Sequence, residues 1–520
     1  MIAALVALAT ALRVAWVLAV PSRPVGDFAL YLESAAHLLE HGAFDPAFIY
    51  MPGYVVVLAG VQALGGGVLA AKLLGAVVGG LGAWPIAGLG MRLFAWTERG
   101  PGPSAVRRGR DREPSSHESQ LVDRRAGVIA GALYAVWPAG IAVASVTGTD
   151  MPAGVLLVTA VYQLVRWREE RPWRAAILFG LVSGLAATVR AVAAPLAALS
   201  LVYWLASGTR PARAAALAAA GCAVAFLVLL PWGIRNQRRY GELFFTDSHG
   251  GHTALVGANP DTDGVYSRSL NLLFWKGTGF KLFDEPHRAS DRAAYDLAAA
   301  WARFEPAYAA GLVVAKADRL LGSERPLLYW PVYRQGVLGG GRRAWFDAHR
   351  APIEALVEAF WYALVALSVG GVVLAGARRR WPALALLLFP LALAALYATF
   401  FSEWRYHLAI VVFLFPFAGA ALAEATEVRR PRALRPLVAA ALAVALLFAG
   451  WPWLVAAGTR LRDRHRWAVT VCDVNQRSRL CAWKPAQPAP GRGLSPVHGV
   501  WDGLGLTLPA GESAVAAALD

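Results

Sequence analysis

The sequence predicts an all-α protein that crosses a membrane about eleven times, with an extracytoplasmic loop domain and a short extracytoplasmic tail. Three observations predict this. Of the 520 residues, 57% are hydrophobic and only 16% charged, where a soluble chain carries roughly 25% charged residues. Apolar runs near the ~20 residues that span hydrocarbon recur through most of the chain. Arginines gather in the short connections between those runs, where they set topology. A formal net charge of +16 would point to nucleic acid in a soluble protein. Here the membrane accounts for it, and no nucleic-acid partner is expected.

The first run, 2–20, is apolar apart from Arg13. It has no basic leader and no clear small-residue cleavage site after it, so it reads as a retained span. The further expected spans are 68–95, 126–146, 151–167, 174–189, 191–206, 214–232, 353–375, 382–401, 407–424 and 436–456. The run 53–64 is too short to cross and reads as an interfacial or re-entrant segment. Five arginine-rich connections fall on one side of this arrangement. They are Arg99 to Arg125, Arg166 to Arg174, Arg210 with Arg213, Arg378 to Arg380, and Arg429 to Arg435. The positive-inside rule makes that side cytoplasmic.

Four regions follow: an N-terminal transmembrane module 1–232, a long extracytoplasmic loop region 233–352, C-terminal transmembrane helices 353–456, and a tail 457–520. A 120-residue connection exceeds ordinary loops and reads as functional or as a small domain. Cys222 sits in an apolar run as a small core residue. Cys472 and Cys481 lie close together in the tail, where an outside location allows a disulfide.

The polar clusters sit at the non-cytoplasmic helix ends. Gly26-Asp27 precedes an amphipathic stretch, Tyr31 to His41, that reads as a surface helix. Asp27 reads first as its cap, which also fixes a carboxylate in space. Thr147-Gly148-Thr149-Asp150-Met151-Pro152 forms a tight polar turn, with Asp150 a helix start or an acid lining a cavity. Pro231-Trp232-Gly233-Ile234-Arg235-Asn236 brings cations to the same side, where guanidinium forks suit phosphate. His249 and His252 follow, at a spacing that argues for loop residues more than for a metal site. Glu403-Trp404-Arg405-Tyr406-His407 reads either as an interfacial aromatic belt or as a phosphate or acceptor contact. Arg190 adds one more cation at that face.

Together these clusters resemble the GT-C superfamily of membrane glycosyltransferases, in particular the protein O-mannosyltransferase and aminoarabinose transferase branch. The likeness covers most of residues 1–425 and omits the tail and the arginine-rich insert 97–125. It implies a sugar donor carried on a polyprenyl or dolichyl phosphate and a lipid, glycan or protein acceptor at the outer face. Mapped residue by residue, Asp27 is the expected base and Asp150 the second-loop acid that orients base or acceptor. Arg235, Arg405 and Arg190 are the expected phosphate cations. Tyr31, Asn236, His249, His252, Tyr406 and His407 are the expected substrate contacts. The first loop departs from the family in having Gly26-Asp27 alone where a pair of acids is common, with Glu33 as a second carboxylate nearby.

No cofactor is implied, and without a clear ligand set no metal site is expected. The chemistry is an inverting displacement, in which a base takes the acceptor proton and cations hold the departing lipid phosphate. The expected location is the plasma (inner) membrane, multi-pass, with a cytoplasmic N-terminus and the active site facing outward. Two rival classes remain. A transporter or flippase of a lipid-linked sugar predicts a pair of broken helices and mid-helix polar groups. An envelope-assembly scaffold predicts that Asp27 and Asp150 share no cavity.

Overall fold

A computed structural model describes residues 1–46, 48–93, 116–259, 262, 264, 287–426 and 434–464, with four short strands beyond them. Arg99, Arg107, Arg108, Arg110, Arg112, Arg429, Arg430, Arg432, Cys472 and Cys481 lie outside the described residues.

The chain is a helical, multi-pass membrane protein. All eleven expected runs lie on helical segments, but fewer qualify as spans. Among the described residues, seven helices are long and apolar enough to cross: Ile2–Ala19, Val68–Leu93, Pro172–Val189, Pro211–Tyr240, Arg350–Ala377, Trp381–Thr399 and Val438–Arg464. The total reaches nine if each of two bent pairs counts as one span: Arg124–Ala135 with Pro138–Ser145, bent by 51°, and Trp404–Val411 with Phe415–Ala425, bent by 57°. Pro138 and Pro416 fall at the breaks, where a missing N–H ends the preceding hydrogen-bond ladder.

The two expected spans outside this set have physical reasons. In 191–206, Pro195 interrupts the α register, and the chain runs as a 3-10 helix Ala191–Leu199 before the short helix Ser200–Ala206. Helix Asp150–Trp167 carries Asp150, Gln163 and Arg166 and buries eleven of its residues, among them Val155, Val158 and Val161. Its surroundings are protein, so it needs less apolar surface than a lipid-facing helix. Arg13, charged inside the first span, is fully buried. It donates to the Ala9 and Ala135 carbonyls at 3.0 and 3.5 Å and stacks on Tyr134 at 4.7 Å, as an intramembrane charge facing the bundle should.

Small residues bring the spans together. A Cβ at Gly180 would meet the Gly221 carbonyl and one at Gly184 would press on Ala225, so helices Pro172–Val189 and Pro211–Tyr240 pack backbone to backbone. The run 53–64 forms a 12-residue helix, Pro52–Ala63, shorter than a span.

The described part of 233–352 includes the helices Gly250–Gly257, His287–Phe304, Pro306–Leu321, Arg325–Tyr329 and Gly340–Ala348, which pack on the bundle. Their Leu255, Ala294, Ala298, Leu320 and Leu327 join the same hydrophobic core as the spans. Lys316, buried to 1% exposure, donates to the carbonyls of Gly257, Thr399 and Phe400 and ties this cap to a span end. In the tail, strands Trp467–Val469, Ala482–Pro485, Gly499–Trp501 and Leu506–Thr507 form an antiparallel sheet in sequence order. This corrects the all-α expectation locally. These strands are only two to four residues long, and a sequence scan for apolar runs near span length passes over them.

Candidate functional site

The surface helix begins at Asp27 itself and ends at His41, with Gly42 in the left-handed conformation at its C-cap (φ +66°). Phe28, Tyr31 and Ala35 are its buried face. Tyr31 packs edge-on against Tyr50 at 5.4 Å and Tyr54 at 5.6 Å, which fixes the helix over the first outer loop. Thr147 reaches across from the polar turn to donate to the Phe28 carbonyl at 3.3 Å. Neither acid caps its helix through its side chain: the N-caps are Gly26 and Thr149, and Asp27 and Asp150 are the first helical residues. Each still profits from the positive end of the helix dipole.

The carboxylates are held by arginine instead. Arg405 Nη2 lies 2.8 Å from Asp27 Oδ2. Its Nε lies 3.0 Å from Glu403 Oε2 and 3.9 Å from Asp150 Oδ2. On the far side of Asp150, Arg190 Nη1 bonds Oδ1 and also donates to Thr149 Oγ1 at 3.2 Å. Arg190 follows the last turn of its span, where the backbone turns extended (φ −143°, ψ 120°) and aims the side chain back at the polar turn. Its guanidinium stacks on Tyr406 at 4.3 Å, and that of Arg405 stacks on Phe28 at 5.0 Å. Asp27 and Asp150 are thus two ends of one ionic chain through Arg405.

Asp27, Arg190 and Arg405 line a cavity of about 450 Å³ together with Tyr31, Tyr50, Thr149, His249 and Tyr406. Asp150 is not among its lining residues and is tied to it through Arg190 and Arg405. One wall is apolar, built from Val189, Val192, Pro195, Leu396, Phe400 and Phe401. Polar lining comes from Asp247, His249, Arg288, Asp291 and Tyr295. Asp150 is buried, with 5% side-chain exposure, while Asp27 keeps 37%. Burial alone would raise the Asp27 carboxyl. The charge and hydrogen bond of Arg405, then His249 and the Tyr50 hydroxyl, hold it below the usual carboxylate range. Burial and the nearby Asp27 push the Tyr50 hydroxyl up, so it stays a donor, at 3.2 Å from Asp27 Oδ1.

The structure brings together Asp27, Asp150, Arg190, Arg405, Tyr31, His249 and Tyr406. It places the other expected residues elsewhere. Helix Pro211–Tyr240 continues eight residues beyond Trp232. Arg235 therefore stacks on Trp232 at 4.6 Å and Tyr240 at 5.5 Å and is not among the residues lining this cavity. Asn236 is buried, donating to the Phe244 carbonyl at 2.9 Å. His252 is fully buried, with Nε2 2.8 Å from Ser290 Oγ. His407 is buried behind the cavity, with Nδ1 2.7 Å from the Leu320 carbonyl and Nε2 2.8 Å from Glu324 Oε1. Glu324 also accepts from Trp137 Nε1, at 2.9 and 3.1 Å to its two oxygens. This buried group anchors the turn that carries Arg405. Among the described residues no group of three or more His, Cys, Asp and Glu side chains is arranged to hold a metal ion.

Sequence reasoning missed Tyr50, Glu403, Tyr397 and the cap residues Arg288, Asp291 and Tyr295. Glu403 carried a signal, since an acid two residues before a cationic candidate is a natural partner for it. Arg288 and Asp291 carried none: they reach the cavity only because helix His287–Phe304 folds back over it.

Residues 119–234 match the family model described as dolichyl-phosphate-mannose-protein mannosyltransferase. No curated protein matches the chain. Among solved structures, the apo oligosaccharyltransferase of Archaeoglobus fulgidus is 13% identical with a TM-score of 0.47, covering 89% of this chain and 55% of that one. AglB from the same organism, in complex with an inhibitory peptide and a dolichol-phosphate, is 13% identical with a TM-score of 0.45, covering 88% and 56%. ArnT from Cupriavidus metallidurans bound to undecaprenyl phosphate is 16% identical with a TM-score of 0.45, covering 89% and 70%. The chain thus spans just over half the length of the two archaeal chains. Asp150 and Arg190 both fall within the segment that is similar to this family of mannosyltransferases, a segment of less than a quarter of the chain.

Proposed function

We propose that this chain is an inverting glycosyltransferase that moves a sugar from a polyprenyl-phosphate-linked donor to a lipid, glycan or protein acceptor at the outer face of the membrane. The observation that carries the reading is the sharing of Arg405, which lines the cavity beside Asp27, by Asp27 and the buried Asp150. Asp27 and two guanidinium groups then line one cavity with a set of apolar residues and a set of polar ones. A prenyl chain suits the first and a sugar the second. The similarity of residues 119–234 to the dolichyl-phosphate-mannose-protein mannosyltransferase family supports the same donor class.

In this reading Asp27 is the base. It is the more exposed acid, and its lowered pKa keeps it ionised through the neutral range. Asp150 is committed to Arg190 and Arg405, so it orients the cations. Arg190 and Arg405 receive the departing phosphate, where fixed positive charge stabilises the transition state more than the ground state. Tyr31, Tyr406 and His249 shape the sugar pocket. The cavity faces outward and the N-terminus lies in the cytoplasm. Residues 1–232, 233–352, 353–456 and 457–520 serve as bundle, cap, closing helices and tail.

The rival transporter reading draws on one observation, the two bent helix pairs, which pack on one another where Gly419 meets the Ala126 carbonyl and Ala130. A transport site would lie at those breaks, at mid-membrane, whereas the cavity lies at one end of the bundle. The test is the anomeric configuration of the transferred sugar, followed by NMR with a donor of defined configuration. Inversion is expected. Retention would sink the single-displacement scheme, and movement of intact donor across vesicles without transfer would favour the transporter.

A further inference from the structure

A second cavity, of about 150 Å³, lies at the opposite end of the bundle. Arg92, Arg166, Arg168 and Arg380 line it, with Tyr203 and two carboxylates, Glu169 and Glu170, which leave the arginines in excess. The arginines come from three separate places in the chain: the end of helix Ala83–Leu93, the end of helix Asp150–Trp167, and the turn after helix Arg350–Ala377. Arg380 is buried at 7% exposure, and the Arg168 side chain is 10% exposed and pairs with Glu169 at 2.7 Å. Arg166 stacks over Trp167 at 4.8 Å. Leu93, Val165, Pro382 and Ala383 supply apolar walls.

Depth decides what such a cavity meets. Helix Asp150–Trp167 has 18 residues, so its ends lie about 27 Å apart at a 1.5 Å rise per residue. That is close to the ~30 Å of hydrocarbon in a bilayer. Asp150 pairs with Arg190 and Arg405 of the first cavity and Arg166 lines the second, so the second sits at the headgroup level of the other leaflet. Trp173 and Trp381, both half-exposed, flank it in sequence, as aromatic residues do at an interface. Topology alone asks only for a number of cations on one side of the membrane. It does not ask that they converge from three helix ends on a concave, half-apolar space.

We infer that this cavity binds the phosphate headgroup of an anionic phospholipid from the leaflet opposite the transfer site. Its volume, against a ~30 Å³ share for one water molecule, takes a group the size of a phosphate diester. The guanidinium forks match phosphate oxygens, and the apolar walls continue into the acyl region. The site is independent of the catalytic reading, for none of its residues lines the first cavity.

The test uses the full-length protein in nanodiscs of phosphatidylcholine with a minor fraction of phosphatidylglycerol, and native mass spectrometry of the lipid retained on extraction. Preferential retention of phosphatidylglycerol is expected. Arg92→Gln, at an exposed position that leaves the core intact, and Arg166→Gln should each cut that preference about fivefold, the worth of one cation near a charged surface. Arg174→Gln, on the same face but outside the cavity, should leave it unchanged. An equal loss in all three variants would mean a diffuse charge effect and would overturn the site. So would no loss in Arg92→Gln and Arg166→Gln. Displacement of the retained lipid by millimolar inorganic phosphate would assign the cavity to a free anion and overturn the lipid assignment.

Discussion

Replacing Arg405 with Gln removes the one cation that both acids share. Its side chain is 17% exposed and lies within 2.8 to 3.9 Å of three carboxylates. Breaking a buried ion pair by deleting one partner costs about 3–5 kcal/mol. Asp150 keeps Arg190, and Asp27 is more than one third exposed to water that offsets its loss. The stability loss should therefore fall near the lower end, about 3 kcal/mol. The effect on transfer is separate. Loss of a fixed charge at a developing anion lowers kcat by about 10²- to 10³-fold. Asp27 would also lose its main ionising partner, so the acid limb of the pH–rate profile should move upward. The assay is transfer by reconstituted protein across pH, beside thermal unfolding in detergent. Arg405→Lys should recover part of the rate, because a single ammonium replaces one contact and not the fork. An Arg405→Gln protein with the parent rate and an unmoved acid limb would refute the role given to Arg405.

Asp150→Asn should lower stability by about 3 kcal/mol, whereas Asp27→Asn should change it by about 1 kcal/mol or less; comparing thermal unfolding with activity separates a structural acid from a reacting one. Burial, with His287 and His249 nearby, pushes the His252 imidazole down to about 3. Its folded pKa lies below its unfolded value, so stability is intact above about pH 6.5. Below that it should fall by up to about 1.4 kcal/mol per pH unit down to about pH 3, and His252→Gln should flatten the fall in melting temperature. Gly180→Leu should clash with the Gly221 carbonyl and lower the unfolding free energy by about 1–3 kcal/mol, with no change in the pH profile of the surviving activity.

The helical multi-pass fold and the meeting of Asp27, Asp150, Arg190 and Arg405 were legible for one reason. Apolar run lengths and arginine loops assign each helix end to a side, and four charged groups fell on the same side. The span count was less so, because hydropathy does not report that protein rather than lipid surrounds Asp150–Trp167, nor that Pro195 breaks the following helix. Arg235 was misplaced for a local reason. Ending its helix at Trp232 hides the fact that residue 235 lies three positions on, over the same face. The cap residues Arg288, Asp291 and Tyr295 depend on how helix His287–Phe304 packs over the cavity. No periodicity in the chain encodes that contact.

The most direct test of the central claim is release of polyprenyl phosphate by protein reconstituted with a lipid-linked sugar and an acceptor. The parent protein should release one lipid phosphate per sugar transferred. Asp27→Asn should bind the donor as the parent does and release none. Full release by Asp27→Asn, or transfer with no lipid phosphate formed, would contradict the account.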